Sequence, residues 1–118
     1  MSRHSKGARM LGLPSKTERR IFFERLELHH ILSMYGRMVS AGEWRDYAMD
    51  ALPGRALFSV YRRASEAPLY QIEKNPDHAR KQGAFSVRAA DGRILRRGHD
   101  LARVLGVLEP RRMQLVGD

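Results

Sequence analysis

The chain has no cysteine among its 118 residues, which excludes disulfides, cysteine-ligated zinc and a thiol nucleophile. It also lacks any long apolar run. Uninterrupted apolar stretches extend only a few residues, against the roughly 20 that a membrane-crossing helix requires, so no membrane span is expected. Met10-Leu11-Gly12-Leu13 is too short for the apolar region of a secretory signal and is followed by Pro14; the expected setting is cytoplasmic. The Gly-x-Ser-x-Gly elbow, the phosphate loop ending in Gly-Lys-Ser or Gly-Lys-Thr and the dinucleotide glycine fingerprint are all missing. Enzymes built on those signatures are thereby excluded, and no cofactor is implied.

Acidic residues are scarce, 13 against 22 lysines and arginines, leaving a formal charge of +9. A surplus of that size invites phosphate-bearing or acidic partners, but only its location makes it informative. Residues 1–20 hold six bases to one acid, residues 21–109 hold 14 to 11, and residues 110–118 hold two to one. More than half of the excess therefore sits in a leader of Ser, Gly, Pro and isolated bases without helical or strand periodicity, the composition of a flexible arm. Such an arm either solubilises the chain or docks on an acidic surface. Only Lys6, Lys16, Lys74 and Lys81 are lysines, and the arginine majority suits phosphate and carboxylate forks.

Apolar content of 42% lies well above the disordered range, and the length fits one domain. After Arg20-Ile21-Phe22-Phe23, a short strand-like segment, Leu28, Ile31, Leu32, Tyr35, Met38 and Val39 recur at helical spacing. This predicts an amphipathic helix over about 27–41, with Gly42 supplying the left-handed residue past its end. No Ser, Thr, Asp or Asn stands at its start as a cap, and Gly36 in its interior is read as a close approach to a sheet. From Trp44 the period becomes two. Strands are predicted over 45–51, 55–63, 69–74, from Phe85 to Ala89, and 93–97, with Pro53-Gly54 and Asp91-Gly92 as turns. Asn75-Pro76-Asp77 opens a brief helix ending at Gly83 with Arg80 and Lys81 in its last turn. Asp100 then opens a second helix carrying Leu101, Val104, Leu105 and Leu108. The expected fold is a single α+β domain over 21–109: an antiparallel meander of about five strands with two helices on one face, a basic arm over 1–20 and a tail over 110–118.

Glu27 and His30 stand at i and i+3, spacing that lets both face one metal ion, yet a di-iron bundle needs two such motifs and two further glutamates. His29 and His30 read more simply as polar-face residues flanking Leu28 and Ile31. His99 beside Asp100 could pair as base and orienting carboxylate, against the plainer role of Asp100 at a helix start. Strand alternation places Ser59, Tyr61, Gln71 and Arg88 on the sheet face away from the helices, with either Arg93 and Arg97 or Ile94 and Arg96. Aromatic and arginine side chains on an open sheet can stack on and neutralise a single strand. Asp46, Asp50 and Glu73 fall on the same face and would repel phosphate.

The runs Tyr35-Gly36-Arg37-Met38-Val39, Ala41-Gly42-Glu43-Trp44-Arg45-Asp46-Tyr47-Ala48, Phe58-Ser59-Val60-Tyr61-Arg62-Arg63 and Pro68-Leu69-Tyr70-Gln71-Ile72-Glu73-Lys74, with Gln82-Gly83-Ala84-Phe85 and Arg97-Gly98-His99-Asp100-Leu101, resemble a small alphaproteobacterial family, domain of unknown function 2794. The likeness covers about residues 21–109. It implies a bacterial cytoplasmic setting and supplies no catalytic residue, cofactor or partner.

The first expectation is a non-catalytic binding module for an acidic partner, nucleic acid or a ribonucleoprotein. Its leader contacts are Arg3, Lys6, Arg9, Lys16, Arg19 and Arg20. Its body contacts are Arg62, Arg63, Arg80, Lys81, Arg88, Arg96 and Arg97, with Tyr61 for stacking. The alternative is a protein adaptor using a sheet edge or the Trp44 region. A small enzyme using His99 with Glu66 or Asp100 is the remote third.

Overall fold

The computed structural model describes residues 19–63 and 67–109. The expected contacts Arg3, Lys6, Arg9 and Lys16, the proposed Glu66 and the expected tail lie outside the described residues, as does most of the expected arm.

Helix α1 spans Arg25–Ser40 and opens two residues earlier than its apolar spacing predicted. The reason is a cap that the search for short polar residues overlooked. Glu24 occupies the N-cap position and forms a capping box with Glu27, its backbone N–H donating to Glu27 Oε1 at 2.7 Å, so two acids satisfy donors that the first turn leaves open. At the other end Gly42 takes φ 79°. The Glu43 N–H then reaches back to Met38 O at 2.9 Å and that of Gly42 to Val39 O at 2.9 Å, the two bonds of a Schellman closure.

Five strands follow, β1 Asp46–Leu52, β2 Arg55–Tyr61, β3 Tyr70–Lys74, β4 Phe85–Ala89 and β5 Ile94–Gly98, paired antiparallel in chain order. Each strand lies beside its sequence neighbour, so β1 and β5 are the margins. The register aligns Met49, Phe58, Ile72 and Val87 across one face, flanked by Tyr47, Val60 and Tyr70 on one side and Ala51, Ala56, Lys74 and Phe85 on the other. Between Val87 and Arg88 the register shifts, so that Val87 faces Arg96 while Arg88 faces Ile94. A bulge of this kind inserts one residue and breaks the alternation. The segment between β3 and β4 forms only a 3-10 turn, Pro76–His78, with Asn75 Oδ1 accepting from the Asp77 N–H at 3.1 Å. The predicted helix to Gly83 is thus corrected: Arg80, Lys81 and Gln82 offer no apolar side chain to bury. The last helix, α2 Leu101–Leu105, is capped by Asp100, whose side chain accepts from the Ala102 N–H at 3.0 Å, and runs on into a 3-10 turn, Gly106–Leu108.

Ile31, Met34 and Met38 of α1, with Leu101, Val104, Leu105 and Leu108, pack in one cluster with Phe58, Val60, Ile72 and Val87. Both helices therefore cover the same face of the sheet. Each such buried aliphatic or aromatic side chain contributes about 1.5–3 kcal/mol by leaving water. Trp44 is only 2% exposed and lies near Tyr35 and Tyr70, at ring separations of 6.1 and 6.5 Å. It roofs the core, which removes it as the adaptor contact.

Gly36 does not approach the sheet. It is exposed, and an added Cβ would have no neighbour within 4 Å. Gly83 is the glycine that the fold requires, with φ +98° and an added Cβ driven into the Gly98 carbonyl group. Gly36→Ala is accordingly expected to stabilise the domain by about 1 kcal/mol, raising the thermal midpoint by about 4–8 °C, whereas Gly83→Ala lowers it sharply or prevents folding. Calorimetry of the two variants checks both signs.

Candidate functional site

The sheet face away from the helices carries Asp46, Ala48 and Asp50 of β1, Arg55, Leu57, Ser59 and Tyr61 of β2, Gln71 and Glu73 of β3, and Ser86 and Arg88 of β4. From β5 it takes Ile94 and Arg97, one residue from each of the two alternative pairs expected. The bulge is the cause, since strict alternation cannot place both on one side. The three acids do share this face, as expected. Glu73 is the unusual member, only 6% exposed. Arg88 Nη2 lies 3.0 Å from its Oε1 and Arg55 Nη1 3.6 Å from its Oε2, while Gln71 Nε2 donates to Ser59 Oγ at 3.0 Å. A buried carboxylate demands such partners, so Arg88 is engaged within the fold.

The remaining body contacts do not form one stripe. Arg62 stands at the end of β2 with its Nη2 3.7 Å from Glu43 Oε1, and Arg63 follows it, also engaged. Tyr61, half-buried, faces Asp46. Arg97 reaches His78 Nδ1 at 2.8 Å, tying β5 to the turn that leads to the exposed Arg80 and Lys81. Arg96, across from Val87, and Arg103, on α2 packed against β4 and β5, are exposed near that margin. Arg103 was missed in the sequence because nothing in its spacing links it to β5. Arg19 and Arg20, expected in the arm, are tied to the β1–β2 turn: Arg19 O accepts from the Gly54 N–H at 2.8 Å and Arg20 Nη1 donates to Ala51 O at 2.7 Å.

The residues considered for chemistry are occupied elsewhere. Glu27 Oε1 receives Lys74 Nζ at 2.8 Å in addition to the Glu24 N–H, and His29 and His30 are exposed. Asp100 caps α2, while His99 is exposed. Among the described residues no three His, Asp or Glu side chains are grouped to hold a metal ion, and no helix is long and apolar enough to cross a membrane. A polar groove between α1 and α2, lined by His29, His30, Ser33 and Ala102, is bounded by Arg37 and Glu109, whose Nη2 and Oε2 lie 2.7 Å apart.

The opposite margin differs in kind. On α1, Leu28, Leu32, Tyr35 and Val39 follow one another at i, i+4, i+7 and i+11, a single stripe. Tyr35 lies against Tyr47 at 4.9 Å between ring centroids, so this stripe runs beside β1. Leu28 meets Phe22, Met49 and Ala51 around a groove of about 230 Å³. Phe22 is 65% exposed and Met49 48%, and Leu32, Val39 and Tyr47 are exposed too. Exposed apolar side chains gathered in this way make this margin a candidate contact surface. The sequence showed which residues were apolar but not which of them stay exposed where α1 meets β1.

A family model described as a protein of unknown function, DUF2794, matches residues 21–105. The chain belongs to that family. The DUF2794 match spans α1, all five strands and α2 and stops before the Gly106–Leu108 turn. No curated protein and no solved structure matches the chain.

Two consequences can be measured. Arg88→Ala leaves the buried Glu73 carboxylate with only the longer contact to Arg55 and is expected to cost about 2 kcal/mol in urea unfolding, whereas Arg62→Ala stays within about 0.5 kcal/mol. Burial, reinforced by Asp46 and Tyr47, raises the Tyr35 phenol above its ordinary 10.0. The folded state thus holds that proton longer than the unfolded state does, and stability contributed by Tyr35 falls as pH rises above 10. A difference titration at 295 nm between wild type and Tyr35→Phe should show a phenol ionising later than free tyrosine.

Proposed function

We propose that this DUF2794 chain is a non-catalytic protein-binding module whose docking surface is the uncovered apolar margin formed by α1 and β1. The observation that supports it is that five of the seven exposed large apolar side chains among the described residues, Phe22, Leu32, Val39, Tyr47 and Met49, belong to the α1–β1 side, with Leu26 and Ile94 the two elsewhere. Burying such side chains against a partner releases water at about 25 cal/mol per Å², and aromatic and methionine side chains are favoured in interface cores. Tyr47 is held flat on Phe58, ring centroids 4.8 Å apart and 7° from parallel, so part of the surface is already ordered before a partner arrives. Preformed contacts reduce the entropy lost on docking.

A second reading, an acidic partner or nucleic acid at the β5 margin, draws support from Arg80, Lys81, Arg96 and Arg103, exposed there. It is the weaker one because Arg62 and Arg88, expected to belong to the same stripe, are spent on Glu43 and Glu73. Neutralising phosphates requires cations free to meet them.

Position-specific photocrosslinking separates the two. A benzophenone side chain at residue 32 or 49 of the full chain, irradiated in its native cell, is expected to give one discrete protein adduct that is absent when it is placed at residue 80 or 96. A nuclease-sensitive adduct at 80 or 96 with none at 32 or 49 would transfer the function to the β5 margin.

A further inference from the structure

Resting on the docking reading above, we infer that the β1 margin accepts an extended segment of a partner protein as a sixth strand, and that this segment alternates apolar with basic side chains. β1 ends the sheet. Among the described residues its outer side is met only at its far end, where the Ile21 N–H donates to Leu52 O at 3.1 Å and Arg20 to Ala51 O. An open strand edge is a template for an added strand, whose main chain supplies affinity and whose alternate side chains supply specificity.

The two faces of β1 fix that alternation. Toward the helices it presents Tyr47 and Met49, both exposed, with Met49 sharing a groove with Leu28 and Phe22. Toward the open face it presents Asp46 and Asp50. Neither carboxylate lies within an ion pair among the described residues; Asp46 Oδ1 accepts only from its neighbour, the Tyr47 N–H, at 2.8 Å. β1 carries two acids and no base, with Arg45 and Arg20 beyond its two ends. Side chains directly opposite one another on neighbouring strands attract when their charges differ and repel when they match. An added strand with apolar residues beside Tyr47 and Met49, and lysine or arginine beside Asp46 and Asp50, satisfies both faces together. A second copy of this chain supplies no base from its own β1, and its antiparallel self-pairing centred on Ala48 sets Asp46 of each copy opposite Asp50 of the other.

The test uses the isotope-labelled full chain and an octapeptide of alternating valine and lysine, with the valine-glutamate octapeptide as control. The lysine peptide is expected to shift the amides of residues 46–50 and slow their hydrogen exchange, and the glutamate peptide to leave them unchanged. Asp46→Asn with Asp50→Asn should weaken the lysine peptide about tenfold, and Met49→Asp should abolish its exchange protection while circular dichroism stays native. Equal binding of both peptides, or shifts confined to other strands, would overturn the inference. So would a dimer in sedimentation that Met49→Asp converts to monomer, which would assign the edge to a second copy. If crosslinks form at residues 32 and 49 but no β1 amide is protected, strand addition fails while the docking surface stands; if neither occurs, both fall.

Discussion

The row Phe58, Ile72 and Val87, in the middle of the sheet, is the part of this protein that must be kept from water, and the rest of the architecture follows from covering it. All three side chains are essentially unexposed. A five-stranded antiparallel sheet has two faces, and the described residues supply one long helix and one short one. Both are spent on the same side, α1 through Ile31, Met34 and Met38 and α2 with its following turn through Leu101, Val104, Leu105 and Leu108. The other side is left to polar side chains, which is the usual arrangement for antiparallel sheets.

That division decides what becomes of the basic surplus. A carboxylate on the second face, Glu73, is shielded by its own neighbours and draws in Arg55 and Arg88. Glu109 draws in Arg37, Glu43 faces Arg62 and Glu27 holds Lys74. A net positive total therefore coexists with a body in which several cations are occupied by acids of the same domain. Surface pairs of this sort add little stability, but they subtract cations from any stripe that could track phosphate. Among the described residues Arg80, Lys81, Arg96 and Arg103 stand exposed toward β5, where the bulge and the Arg97–His78 contact bring the β3–β4 connection alongside the margin, while Arg20 and Arg45 lie at the two ends of β1.

The two described helices do not roof the five strands evenly. α2 packs against β4 and β5, α1 meets β1 where Tyr35 lies on Tyr47, and Tyr47 and Met49 of β1 nevertheless stay exposed. The two margins of one sheet thus carry different chemistry, apolar and acidic at β1, basic at β5.

The sequence by itself determined the long helix, the five-stranded meander and the closing helix of a single α+β domain, the Pro53-Gly54 and Asp91-Gly92 turns, the Asp100 helix start and the helical stripe from Leu28 to Val39, but not the absence of a strand at 20–23 or of a full helix before Gly83. These depend on periodicity and on residues a few positions apart, whose interactions are local. Tertiary structure decided the rest: the register shift opposite Val87, the burial of Glu73, the exposure of Gly36 and Met49, the enclosure of Trp44, and the separation of Arg62 from Arg97. Each of those is a question of which distant strand or helix lies alongside, and a period of 2 or 3.6 says which face a residue takes without saying what covers that face.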